Sequence, residues 1–242
     1  MSGQRIALIT GANKGLGLEI ARQLGTLGAV VVLGCRDAGR GRAAAGDLAA
    51  AGITAVPLLL DVTDQATITA AAKDIDGRFG RLDVLVNNAG VTGGFFGPPS
   101  GATPGDLSAV YDTNVHGVLA VTNAMLPLLR RSPAARIVNL SSAAGSLALN
   151  ADPDGGFADY NQVTYQSSKT ALNFLTLAYA KELRGTAIKV NSANPGYTAT
   201  DLNGHRGTRT AAQGARIAVR LATLGPDGPT GTNQDENGPV PW

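Results

Sequence analysis

Cysteine is nearly absent from this chain. Cys35 stands alone among 242 residues, so no internal disulfide can form and a reducing compartment is the natural setting. Charge is scarce as well: Asp, Glu, Lys and Arg make up 16% of the sequence, and the formal net charge is only +2. The basic residues are scattered, which argues against nucleic acid or an anionic membrane as partner. No apolar stretch approaches the roughly 20 residues needed to span a bilayer. These shortages lead us to expect a soluble cytoplasmic protein acting on a small molecule. Histidine is rare too. His116 and His205 lie far apart with no matching cysteine or carboxylate cluster, so no metal site is expected.

What is present is apolar and regularly arranged. With 44% hydrophobic residues, the chain suits one globular domain, 1–242, with a sizeable core. Short runs rich in β-branched residues ("RIALIT", "AVVVLG", "AVPLLLD", "RLDVLVNNAG", "ARIVNLSS", "AIKVNSANPG") alternate with helix-like stretches at 15–27, 38–51, 64–79, 104–130, 164–184 and 209–224. Continuous apolar strands are those buried on both faces of a parallel sheet. The pattern predicts an α/β fold: a single doubly wound parallel sheet, a Rossmann fold of about seven strands with helices on both faces. Thr230 to Asn233 could add an edge strand. Ligands in such sheets bind beyond the carboxyl ends of the strands.

The first strand runs into "TGANKGLG", Thr10 to Gly17. Gly11, Gly15 and Gly17 permit a tight turn and close backbone approach, and the following helix offers free N–H groups, so this loop, with Asn13, Lys14 and Leu16, reads as a nucleotide site. The second strand ends at Gly34, Cys35 and Arg36. Where a carboxylate would bind a ribose 2′-hydroxyl, Arg36 can hold a 2′-phosphate, an effect of about ten- to hundredfold in cofactor preference. Lys14 can reach the same region. A register shift would instead put Asp37 on the ribose and invert that preference. Asp61 and Val62 end the third strand and Asn88, Ala89 and Gly90 the fourth, on the rim where an adenine and its ribose would lie.

Tyr165 and Lys169 stand four apart at the start of a helix and so share a face. An adjacent ammonium favours a phenolate, which makes the pair a candidate acid/base. Among five tyrosines, at 111, 160, 165, 179 and 197, only Tyr165 has a lysine at that spacing. "NLSS" delivers Ser141 and Ser142 to the same rim, where a hydroxyl can hydrogen-bond a carbonyl oxygen while the tyrosine gives or takes its proton.

The order "TGANKGLG", "NNAG", "YDTNVHG", "IVNLSS", "YQSSK" and "NPGYTATD" resembles the short-chain dehydrogenase/reductase family, particularly its NADPH-dependent carbonyl reductases. The resemblance implies an oxidoreductase moving hydride reversibly between NADPH/NADP+ and the carbonyl of a ketone or aldehyde. It implies Ser142 orienting the substrate oxygen, Tyr165 as general acid, Lys169 binding the nicotinamide ribose, and Asn114 holding a relay water. Pro195, Gly196, Thr198 and Thr200 would sit at the nicotinamide. Alternatives left open are reduction of a conjugated C=C bond and an NADP(H)-binding sensor without turnover. Ser142 and Tyr165 are separated by an unusually long segment containing "ADPDGGFADYNQ". The substrate pocket is expected from segments 91–103, 143–164 and 197–214, the last as a mobile lid, with Phe95 and Phe96 as either pocket walls or loop anchors. By the resemblance such an insertion shapes the pocket, and a larger one blocks tetramerisation in some carbonyl reductases, so the protein is expected as a monomer or small homo-oligomer.

Overall fold

A computed structural model describes residues 4–242. β1 (Ile6–Thr10), β2 (Val30–Cys35), β4 (Val84–Asn87) and β5 (Arg136–Leu140) are buried along their whole length, as their unbroken apolar runs require. They are joined by β3 (Ala55–Leu59), β6 (Lys189–Ala193), β7 (Thr232–Asp235) and β8 (Gly238–Pro239) in one eight-stranded sheet of order β3-β2-β1-β4-β5-β6-β7-β8. All pairings are parallel except β7 with β8.

Two strands depart from the pattern. β3 is only half-buried because it forms one edge, and Pro57 in its middle is tolerated there. The strand expected near Thr230 to Asn233 starts at Thr232 and is not an edge, because β8 folds back onto it.

Helices cover both faces. α1 (Gly15–Thr26), α2 (Ala38–Ala50) and α8 (Ala211–Ala222) bury Ile20, Leu48 and Ile217 against Ile9, Leu33 and Val138. On the other face α3 (Gln65–Phe79), α5 (Gly117–Leu129) and α7 (Val163–Glu182) bury Ile68, Met125 and Tyr179 against Leu8, Leu85 and Ile137. Burying such a side chain contributes roughly 1.5–3 kcal/mol each. The alternation of faces along β1 (Ile9 one way, Leu8 the other) is the two-residue period of a strand. No helix among the described residues is long and apolar enough to cross a membrane.

The stretch 104–130 is not one helix. α4 (Pro104–Tyr111) gives way to a π-helical turn at Asp112–His116 before α5 begins. That turn puts Asn114, 1% exposed, inside the fold. The segment after β5 also contains an unexpected short helix, α6 (Leu147–Ala151).

Because the strand order reverses between β1 and β4, the loops after them diverge and leave a crevice at their carboxyl ends. A buried polar row fixes that end of the sheet. Asn87 and Asn139 are register partners, as are Asn139 and Ser192. Asn87 Nδ2 donates to Asn139 Oδ1 at 2.8 Å, and Asn139 Nδ2 donates to Thr176 Oγ1 at 2.9 Å. The Thr176 and Ser192 hydroxyls are 2.9 Å apart, so β4, β5 and β6 are all tied to α7.

Candidate active site

The crevice is a cleft of about 1090 Å³. The glycine loop Gly11 to Gly17 floors one end. Gly11 and Gly15 have φ of +65° and +55°, in the left-handed region that favours glycine. A side chain at Gly17 would meet Asn88 Nδ2 at 2.5 Å and the Gly11 carbonyl at 2.6 Å. Asn88 is a brace: its Nδ2 donates to Thr10 O at 2.8 Å, while Thr10 Oγ1 accepts from the Asn88 and Ala89 amides at 3.0 Å.

Arg36 lines the cleft, is exposed, and has no hydrogen-bond or ion-pair partner among the described residues. Asp37 is committed elsewhere. It is the N-cap of α2, its Oδ1 accepting from the Arg40 amide at 2.9 Å, and that bond holds its carboxyl below the usual range. Asp61 also lines the cleft. Its Oδ1 accepts from the Thr63 amide and hydroxyl at 2.9 and 2.8 Å, which lowers its pKa, and Oδ2 has no protein partner among the described residues. Lys14 is paired with Asp201 across the cleft, and His205 Nε2 lies 2.7 Å from the other oxygen of Asp201.

Asn13, Leu16, Val62, Ala89, Gly90, Pro195, Gly196, Thr198 and Thr200 line the same cleft, as do Ser142, Tyr165 and Lys169. Asn114 alone among the expected site residues does not. Its Oδ1 accepts from the Val91 amide at 2.9 Å, and its Nδ2 donates to Val91 O at 2.8 Å and Ser168 Oγ at 3.0 Å. Gly90 adjoins both: a side chain there would be in ordinary contact with Asn114 Oδ1 at 3.4 Å and Lys169 Nζ at 3.7 Å.

Lys169, on α7, is buried, donates to Leu140 O at 2.7 Å and lies 5.6 Å from the centroid of the Tyr165 ring. Burial lowers its pKa from 10.5 to about 8. The lowering of Tyr165 by the neighbouring ammonium, expected from the spacing, is not what the chain does on its own. Burial dominates and pushes the phenol up to about 12, opposed by the Ser142 hydroxyl. Ser142 Oγ accepts from the Ala144 amide at 3.2 Å.

Sequence reasoning missed the residues that hold Ser142 against α7. Ser141 Oγ donates to Asn173 Oδ1, Asn173 Nδ2 donates to Gly145 O at 3.2 Å, and Thr170 Oγ1 donates to the same carbonyl at 3.0 Å. The signal was available, because Asn173 follows Lys169 by four residues and so shares its helix face.

Segment 197–214, expected as a lid, ends inside α8; the part before the helix is clipped at its base by a bridge between Thr198 and Arg209 and carries a short 3-10 turn at Asp201–Asn203. Phe95 and Phe96 divide the two expected roles. Phe95 Cζ packs 3.2 and 3.3 Å from where side chains at Gly97 and Gly101 would sit, an anchor, while Phe96 lines the cleft. Cys35 is buried in the core, its thiol pushed up to about 11 by burial.

A sequence profile of one family, described as short chain dehydrogenase, matches residues 5–211. The chain belongs to the short chain dehydrogenase family. It is similar to the short-chain dehydrogenase anuI of Penicillium roqueforti, 36% identical over 91% of this chain and 89% of that one. It is also similar to carbonyl reductase [NADPH] 1 of Sus scrofa, 32% identical over 100% of this chain and 95% of the other. That alignment runs over 281 positions against a 242-residue chain, so the pig protein of the same family carries residues this one lacks. Among solved structures, the NADPH-bound carbonyl reductase from chicken fatty liver superposes with a TM-score of 0.86 at 30% identity, covering 99% of both chains.

Proposed function

We propose that this short chain dehydrogenase reduces the carbonyl of a ketone or aldehyde to an alcohol, reversibly, with NADPH as cofactor. The observation that carries the reading is one cleft lined by Ser142, Tyr165 and Lys169, by the glycine loop, and by an Arg36 without a partner among the described residues. The names of the pig and chicken relatives support it.

The glycine cradle fits a dinucleotide, since a side chain at Gly11 would crowd Ala89 at 3.1 Å and one at Gly17 would run into Asn88 and the Gly11 carbonyl, which leaves bare backbone facing the cleft. The amides at the start of α1 take the pyrophosphate. Arg36 holds the 2′-phosphate, and Asp61 Oδ2 remains to accept from the adenine amine. Val62, Asn88, Ala89 and Gly90 wall the adenosine half; Pro195, Gly196, Thr198 and Thr200 wall the nicotinamide half. NADPH, when bound, supplies the hydride.

The chain supplies position and a proton. One lone pair of Ser142 Oγ is taken by the Ala144 amide, and its hydroxyl faces Tyr165, so a substrate oxygen set between the two takes a hydrogen bond from Ser142. A phenol with a pKa of about 12 is protonated at neutral pH, the form in which Tyr165 gives its proton to the alkoxide as it forms. Lys169, fixed by Leu140 O, binds the ribose and holds a positive charge beside the phenol. Asn114, locked onto Val91 beside Gly90, would hold the relay water that connects Lys169 to solvent.

One globular domain, 1–242, carries both halves, and segments 91–103, 143–164 and 197–214 build the substrate pocket. The lone buried cysteine supports a cytoplasmic setting, as a monomer or small homo-oligomer. The test is titration with NADPH and NADH, then a screen of ketones and aldehydes for loss of cofactor absorbance. NADPH preference with turnover is expected. NADH preference would move the ribose to Asp37, and tight binding without turnover on any carbonyl would leave a sensor.

A further inference from the structure

The segment between Ser142 and Tyr165 contains an aromatic side chain that is both fixed and open. Tyr160 is 42% exposed, yet its hydroxyl donates to Gln162 Oε1 at 2.6 Å and its carbonyl accepts from Gln166 Nε2 at 3.1 Å. Gln162 is itself buried and donates to Thr92 O at 3.3 Å, so the anchor is anchored. Phe157 meets Tyr160 edge to face, with centroids 6.0 Å apart and planes at 66°. A ring held at its hydroxyl, its backbone and its edge has lost its rotamer freedom before any ligand arrives, which is the condition for a contact surface that binds at low entropic cost. Its proton is spent on Gln162, so Tyr160 offers ring area, not acid chemistry.

The same cleft carries more apolar area. Phe96, Tyr197 and Leu202 are 67%, 53% and 45% exposed and line it with Phe157 and Tyr160. With Tyr160 they make four of the nine large apolar side chains exposed among the described residues, gathered at one mouth. The acid there, Asp201, is already paired with Lys14 and His205. Arg206 is the remaining charge at that mouth; it is exposed, and solvent screening leaves it little power to discriminate.

We propose that Phe157 and Tyr160 form the fixed side of an aromatic clamp that selects uncharged ketones carrying a flat ring system. The inference rests on the carbonyl-reductase reading and names its substrate class. A matched pair of ketones tests it: β-tetralone and β-decalone share a bicyclic skeleton and differ in one aromatic ring. The expected kcat/KM favours β-tetralone by about tenfold. Tyr160→Ala abolishes that preference while NADPH affinity stays put, and Tyr160→Phe, which keeps the ring but loses the Gln162 bond, keeps part of it. Equal use of the two ketones by the unaltered protein, or a preference that survives Tyr160→Ala, overturns the clamp. So does faster use of benzoylformate, an anionic aryl ketone, that is lost in Arg206→Ala. Equilibrium dialysis of β-tetralone against the NADP+-loaded protein separates the two levels of the argument. Binding that depends on Tyr160 without turnover of any ketone keeps the clamp and removes the reductase reading; no Tyr160-dependent binding removes the clamp.

Discussion

Ser141 Oγ and Asn173 Oδ1 are 2.6 Å apart, a hydrogen bond between two buried side chains that joins the loop carrying Ser142 to the helix carrying Tyr165 and Lys169. The contact beneath it is tight: a side chain at Gly145 would sit 2.6 Å from Lys169 Cβ. Asn173 is therefore a positioning residue, setting the separation of two groups it never touches. Asn173→Ala leaves the Ser141 hydroxyl without its acceptor and Gly145 O with the Thr170 hydroxyl alone as side-chain donor, at a cost of about 1–3 kcal/mol of stability. It should lower kcat by roughly a hundredfold through misplacement, with KM for NADPH unchanged. A variant that loses the stability but keeps kcat would make the bond purely structural.

Arg36 and Asp37 adjoin in sequence and have opposite commitments. Arg36→Ala should weaken NADPH binding about ten- to hundredfold and leave NADH binding unchanged, as measured by fluorescence titration. Asp37→Ala should do the reverse of what a ribose ligand would: no change in cofactor preference, and a loss of about 1 kcal/mol in unfolding free energy from the missing helix cap. Weaker NADH binding in the second variant would return the ribose to Asp37.

Tyr165→Phe removes one oxygen from the cleft. Cofactor titration should be unaltered while kcat falls about 10²–10⁴-fold, the usual range for a lost general acid. Ser142→Ala should cost about 10²–10³-fold, because it removes a donor aimed at the developing alkoxide. Together they should cost far less than the product of the two, since both act on the same oxygen.

What was legible in the sequence is what the local chain decides. The strands of the sheet centre announce themselves because both faces are buried, and the glycine loop because its spacing and its flanking strand and helix are contiguous. β3 read as one more buried strand, although its edge position depends on which neighbours the sheet supplies. The π-turn at Asn114 was invisible, since apolar periodicity runs through 104–130 and the single glycine at the break, Gly117, is also what close packing against Val62 requires. The i+4 spacing puts Asn173 on the Lys169 face, but its pairing with Ser141, 32 positions away, and that of Gln162 with Thr92, 70 away, are encoded by no spacing within one element.

The two displaced pKa values make the pH dependence specific. With Lys169 brought down to about 8 and Tyr165 raised to about 12, the site at neutral pH holds an ammonium beside a neutral phenol, the combination that reduction needs. Because kcat/KM reports the free protein, it should stay level through neutrality and fall about tenfold per pH unit above about 8, as Lys169 loses its charge while Tyr165 keeps its proton. Lys169→Arg keeps a cation throughout, so that limb should move to higher pH whatever the new plateau; a limb that stays put belongs to another group. Stability carries the same signature with a definite sign. Between about 8 and 10.5 the unfolded chain binds the proton that folded Lys169 does not, so unfolding free energy rises with pH across that window. The gap corresponds to about 3 kcal/mol of burial cost, present in full below it. Tyr165 acts in the opposite direction between 10 and about 12, where the folded phenol retains a proton the unfolded one has lost. Lys169→Met should therefore gain most over the unaltered protein at neutral pH, and its advantage should shrink as the pH approaches 10, read from urea unfolding at each pH. An advantage independent of pH would mean that Lys169 is not buried as a cation at all.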